Sequence, residues 1–274
     1  YHTEQQTHLE ITLDGHGNFR RAAVVPKETI FIPATEDSAG RTGKAPTPHP
    51  FMDKLRYVAA DYKDFGGVKE SQHALYLKQL RAWAAAEPNA DVEAVLRYVE
   101  GGTVVADLVR TGLLPCDAEG KLMDEWPREN GDSPALFKLL TAKAGKRDAG
   151  DAFVRWSVET PGKPGSNLWK DEEIQRSWTR FVSSGDGKKS LCMVTGEEVV
   201  PAASHPKRLR HGADGAKLIS SNDASGYTFR GRFNSPEQAY SVGSILTQKA
   251  HNALRWLIAR QGYKQGDQVI VAWA

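Results

Sequence analysis

Cysteine is scarce: Cys116 and Cys192 are the only two in 274 residues, and they stand far apart. A secreted scaffold stapled by disulfides carries more, so a reducing compartment is expected. No apolar run reaches the roughly 18 residues of a membrane span, and no charged–apolar–small leader opens the chain. The first residue is Tyr1 rather than Met, which reads as the loss of a natural N-terminus. Motifs are scarce as well. There is no C-x2-C, no G-x4-G-K-[ST], no G-x-G-x-x-G after a strand and no G-x-S-x-G. These absences argue against the common zinc modules, phosphate loops, dinucleotide folds and nucleophile elbows. Cys192, His205 and His211 follow a C-x12-H-x5-H spacing, half of a zinc finger, but the first ligand pair is missing. No metal and no cofactor is therefore expected.

Hydrophobic residues make up 40% and charged residues 26%, the balance of an ordinary globular chain. The net charge is only +2. Its distribution is more informative. Residues 201–264 carry ten Lys or Arg against three Asp or Glu, a local +7, which leaves −5 for the remainder. Cations concentrated in this way attract phosphate backbones.

The patterning predicts an α+β fold. HLEITLD (8–14) alternates like a half-buried strand, DGHGN (14–18) is turn chemistry, and FRRAAVV and TIFIP read as a second and a third strand. After Pro50 the spacing becomes helical in FMDKLRYVAADY, ESQHALYLKQLRAWAAAE, DVEAVLRYVE and SPALFKLLTAKAGK. In the second of these, Leu75, Leu77, Leu80, Trp83 and Ala84 form the apolar side. Asp91 is placed to cap the third, and Ser133 the fourth, with Pro134 in its first position. DAFVRWSVET (151–160) returns to strand, and KDEEIQRSWTRFVSS (170–184) to helix. SLCMVTGEEVV (190–200) is a hairpin with Thr-Gly in its turn. SPEQAYSVGSILTQKAHNALRWLIARQG (235–262) is the strongest helix, capped by Ser235, opened by Pro236 and ended by Gly262. VIVAWA (269–274) reads as a buried strand, which implies a natural chain running past residue 274. The expectation is a mixed, mainly antiparallel β-sheet body (1–50 and 148–274), a long C-terminal helix, and an inserted helical subdomain (51–147).

The basic segment carries the functional signal. On the long helix, Val242, Leu246, Ala250, Ala253, Leu254 and Leu257 form an apolar face, while Gln248, Asn252 and Arg255, with Lys249 beside them, form a polar one. KLISSNDASGYTFRGRF (217–233) reads as a second hairpin. Ser220, Ser221, Asn222 and Ser225 supply short donors and acceptors, and Arg230 and Arg232 share one strand face. Amides and guanidiniums hydrogen-bond base edges and phosphates. Tyr227 is either a stacking residue or core. Upstream, HPKRLRHG (205–212) is a basic loop. A competing reading is a metal-dependent nuclease acting on DNA or RNA through Asp171, Glu172 and Glu173, although acids gather at helix starts for electrostatic reasons alone.

SSNDASGYTFRGRF and QKAHNALRWL, with LCMVTGEEV, HPKRLR and QVIVAWA in the same order, resemble the large subunit of the type I-C CRISPR surveillance complex, Cascade; the opening LEITLDGHGNF agrees in layout. The resemblance covers the N-terminal part of such a protein. It implies a non-catalytic, cytoplasmic prokaryotic subunit with no membrane contact. Such a subunit senses the protospacer-adjacent motif in target double-stranded DNA, promotes duplex opening and holds strands of the R-loop. Its partners are the crRNA-containing Cascade, with its backbone and crRNA-processing subunits, and the helicase–nuclease recruited after R-loop formation. Lys207, Arg208, Arg210, Lys217, Arg230, Arg232 and Lys249 are then the phosphate-holding residues, and Ser221, Asn222, Gln248 and Asn252 the motif-sensing ones. The acidic helical region at 51–147 suits docking of a partner subunit.

Overall fold

The computed structural model describes residues 1–41, 46–127, 129, 131–163, 166–185, 187–211, 214–219 and 240–273. Its elements in chain order are β1 (His2–Asp14), β2 (Phe19–Pro33), α1 (Glu36–Ala39), α2 (Leu55–Val58), α3 (His73–Ala86), α4 (Ala90–Gly101), α5 (Val104–Arg110), α6 (Ala135–Leu139), β3 (Val154–Glu159), α7 (Glu172–Ser183), β4 (Ser190–Leu191), β5 (Glu198–Val199), α8 (Ser244–Gln261), β6 (Tyr263–Gln265) and β7 (Gln268–Ile270). The fold is α+β. Contacts group the chain into two compact units, His2–Val182 and Ser183–Ala274, the latter including Tyr1. The helices of 51–147 group with the sheet in the first unit rather than standing apart from it. None of the helices among the described residues is long and apolar enough to cross a membrane.

In the first unit the sheet runs β2-β1-β3. Leu9, Ile11 and Leu13 recur at period two and are fully buried, as expected of the opening strand. The expected second and third strands are one continuous strand, β2, antiparallel to β1, with a register shift between Thr7 and Leu9 absorbing the irregularity. β3 pairs with β1 in parallel, Leu9 beside Val154 and Ile11 beside Trp156. It is buried from Val154 through Val158, so its two faces do not separate into core and solvent. Arg155 survives there because Glu10 and Glu28 take its guanidinium at 2.7 and 2.5 Å and Trp169 lies beneath it at 3.8 Å. The β1–β2 turn is built by Asp14, whose carboxylate accepts the amides of His16 and Asn18. Gly17 sits at φ +86°, and a Cβ there would meet the Ala94 carbonyl at 2.5 Å.

The helices cover the sheet through an aromatic seam. Trp83 of α3 meets Phe51 and Trp178 of α7 edge-on, with centroids 5.4 and 5.3 Å apart. The Phe51 carbonyl accepts both the Tyr76 hydroxyl (2.7 Å) and the Trp156 indole N–H (2.8 Å). Two details depart from the sequence pattern. On α3, Tyr76 lies in the core and Leu75 is exposed, because the tyrosine hydroxyl finds that carbonyl. On α4 the cap is Asn89, which accepts the amides of Asp91 and Val92, while Asp91 is buried and paired with Lys163. α6 is only one turn and a fraction, starting after Pro134.

Just before this seam, Asp53 is completely buried. Arg41 grips both its oxygens (2.6 and 2.5 Å), and the amides of His49 and Lys54 donate to it as well. Burial pushes the Asp53 carboxyl up, and Arg41 opposes that. Removing one partner of a buried pair strands the other charge. Arg41→Ala is expected to cost about 3–5 kcal/mol, read as a lower denaturant midpoint with an unchanged slope.

Candidate nucleic-acid interface

The second unit begins with the β4–β5 hairpin, its turn at Thr195–Gly196 as the sequence predicts. Cys192 is buried in it. Burial alone raises the thiol, but hydrogen bonds from the Thr195 side chain and from the amides of Gly243, Thr195 and Val194 outweigh it and bring it to about 7.

The long helix is shorter than its sequence signal. α8 starts at Ser244 and stops before Gly262 as expected. Residues 240–243 are not helical, and Ser235 and Pro236 lie outside the described residues. Its deeply buried residues are Thr247, His251 and Ile258, while Ala253, expected on the apolar face, is exposed. The pattern misled because Thr and His count as polar, yet here they satisfy one another. The His251 Nδ1 donates to the Thr247 carbonyl (2.7 Å), so its Nε2 accepts the Leu218 amide (3.1 Å). The Thr247 hydroxyl meets His205 Nδ1 at 2.9 Å, and the two rings stack 6.4 Å apart. This cluster fixes both ends of the 205–218 loop on the helix.

Arg255 continues the attachment, donating to the carbonyls of Lys207 and Arg208 and to Asn252 Oδ1. Arg208 itself adopts φ +64°. Arg210 is held by Asp214 through paired contacts of 2.9 and 2.8 Å and donates to the Asp267 carbonyl. That partnership holds the Asp214 carboxyl far below the usual range, and a phosphate approaching Arg210 has Asp214 to compete with. Lys207 and Lys249 are exposed, as is Asn252; Arg208, Lys217 and Gln248 are partly buried. Lys217 is shifted down by burial and then by Lys207, so two like charges share this face. Ser221, Asn222, Tyr227, Arg230 and Arg232 lie outside the described residues. The structure thus brings Lys207, Lys217, Arg255 and the histidine pair together on one loop-and-helix surface. The histidine–threonine cluster is the part that sequence reasoning missed; its only signal was the i, i+4 spacing of Thr247 and His251.

The other chemistry weighed from sequence finds ordinary placements. His205 faces Thr247, Cys192 accepts the Gly243 amide, and His211 is exposed. Among the described residues no three His, Cys, Asp or Glu side chains are grouped to hold a metal. Asp171 caps α7 through the amides of Glu173 and Ile174, Glu172 pairs with Arg176, and Glu173 pairs with Arg180. The described part of VIVAWA, residues 269–273, is largely exposed rather than buried: among these residues the strand ends at Ile270, and Ile270 and Trp273 face outward.

All 274 residues match a family model of CRISPR-associated proteins. The chain belongs to that family, Cas_Csd1, the type I-C large subunit of the Cascade complex. No curated protein matches the chain.

Burial lowers both His205 and His251, and each also feels Lys217. An unfolded histidine titrates near 6.5. Below that pH the unfolded chain binds more protons than the folded one, so stability falls as pH drops through 6.5 toward the lower folded values. Thermal unfolding between pH 7.5 and 5.5 should show this loss, and it should be smaller in the His205→Gln/His251→Gln variant than in the parent.

Proposed function

We propose that this Cascade subunit is a non-catalytic reader of target DNA. It senses the protospacer-adjacent motif in the duplex, promotes strand opening beside it, and supports recruitment of the helicase–nuclease. Family membership supplies the setting. The observation that carries the reading is the excess of cations on the 205–218 loop and α8: among the described residues Lys207, Lys217 and Lys249 form no ion pair. Lys207, Lys217 and Lys249 face outward or nearly so, and Asp214, the acid within that loop, is engaged by Arg210.

In this reading Lys207, Lys217, Lys249, Arg230 and Arg232 hold phosphates, while Asn222 or Ser221, with Gln248 and Asn252, meet base edges in the motif. Arg208 and Arg210 shape the loop as well as adding charge. Base pairing with the crRNA reads the long sequence, so the protein needs only a few base contacts. Opening the duplex costs stacking energy, and new phosphate contacts together with heteroduplex pairing offset it.

The test is a gel-shift panel with the assembled complex and duplexes that differ only beside the target. One motif should bind at least tenfold more tightly than scrambled neighbours. Arg230→Ala/Arg232→Ala should weaken every duplex alike, whereas Asn252→Ala should narrow the gap between motifs. Equal binding of all duplexes by the parent complex contradicts the proposal. Incubation of the purified chain with DNA or RNA and Mg2+ or Mn2+ should leave the nucleic acid intact. Cleavage that disappears in Asp171→Asn/Glu172→Gln/Glu173→Gln would establish the nuclease instead.

A further inference from the structure

A second cationic site lies in the first unit, far in sequence from the basic segment. Asp151 sits in a one-turn helix, Ala149–Asp151, directly before β3. Lys54 reaches one of its oxygens at 3.0 Å, Lys69 takes the other, and the Arg56 guanidinium stands 3.8 Å away. One carboxylate is thus shared by three cations. Asp148 is the second acid nearby, 3.6 Å from Lys69, but it is already accepting the Tyr62 hydroxyl (3.0 Å) and the Gly150 amide (2.6 Å). Arg56 is nearly buried, with 11% of its side chain exposed; among the described residues its close polar partner is the neutral Tyr57 hydroxyl (2.8 Å), and its Nε has none. His8 lies beside the group and does not add a counter-charge. Its Nδ1 accepts the Phe153 amide, and burial, then Lys27 and Lys54, lower its pKa against the pull of Asp151.

The arrangement is built rather than accidental. The Tyr62 ring is clamped between Gly67 and Gly150, and a Cβ on either would fall 2.4–2.7 Å from the ring. That clamp fixes the 148–151 turn beside Lys69. Backbone pairing fixes Lys54: the Leu55 amide donates to Ala152 and the Val154 amide to Asp53. The lysines stay about a third exposed, so an anion has access. Partly desolvated cations that outnumber their carboxylates are stabilised by an incoming anion, and a guanidinium beside ammonium groups suits phosphate oxygens.

We propose that Lys54, Arg56 and Lys69 form a phosphate-binding site, with Asp151 as a built-in competitor that holds the cations in place until a phosphate group shares them. The proposal does not rest on the loop-and-helix surface of the second unit.

The experiment is thermal unfolding of the full chain in rising inorganic phosphate, against chloride at equal ionic strength. Phosphate should stabilise the parent chain. Lys54→Gln/Lys69→Gln should lose most of that stabilisation, while Lys78→Gln/Lys138→Gln, at two exposed lysines elsewhere in the same unit, should keep it. Asp151→Asn gives the sharper result. Removing the competitor should tighten apparent phosphate affinity about fivefold or more, the effect of one unit charge at about 4 Å in water. A purely internal ion-pair network predicts the reverse, a less stable protein with no gain in phosphate response. An equal phosphate effect in the parent and in Lys54→Gln/Lys69→Gln, or no gain with Asp151→Asn, overturns the site. Competition from a short oligonucleotide then separates the sources: loss of the phosphate response assigns a nucleic-acid backbone, and its persistence assigns a free phosphate.

Discussion

The hydrogen-bond chain His205–Thr247–His251–Leu218 is the constraint on which the proposed interface depends. A loop of cations has no reason to hold one shape in water, since its charges repel and its backbone amides are satisfied by solvent. Here the loop is tied at both ends to one helical turn by side chains that are buried and mutually bonded. Arg255 adds further ties in the middle by donating to two successive loop carbonyls. Between these points Arg210 is paired with Asp214, while Lys207 and Lys217 form no ion pair among the described residues. An anionic backbone then meets a surface that needs little reordering, which is how preorganisation converts charge into affinity.

The two units handle charge differently. In the first, most cations are matched: Arg41 with Asp53, Arg155 with Glu10 and Glu28, Lys163 with Asp91, Arg180 with Glu87 and Glu173. These pairs lock elements together. The group around Asp151 departs from that pattern within its own unit. In the second unit, among the described residues, Arg210 with Asp214 is the matched pair, and it shapes the loop. Near-neutral overall charge therefore conceals structural neutralisation in one region and, among the described residues, lysines in no ion pair in the other.

Much of this was legible in the sequence. Period-two alternation gave β1 and β3, the Asp-Gly turn gave the β1–β2 hairpin, Thr-Gly gave the β4–β5 hairpin, and Gly262 gave the end of α8. The family was legible from the long motifs of the basic segment. What escaped has common physical causes. The parallel partnership of β1 and β3 joins residues about 145 positions apart, and no local pattern encodes it. Tyr76, Thr247 and His251 are buried because partners distant in sequence satisfy their polar atoms, whereas a hydrophobicity pattern assigns such residues outward. Asn89 displaced Asp91 as the α4 cap because Asp91 had a better use against Lys163. The Lys54–Arg56–Lys69 cluster combines three positions that look like solvated surface until the 148–151 turn brings a carboxylate among them.

The central claim is that Lys207 and Lys217, held on α8, neutralise DNA phosphates in the assembled complex. The most direct measurement is the dependence of log affinity on log salt concentration for a motif-bearing duplex, in parent complex and in Lys207→Gln/Lys217→Gln. Each lost phosphate contact should flatten the slope by about one, so the double variant should be less steep by about two. An identical slope in the two complexes would contradict the claim.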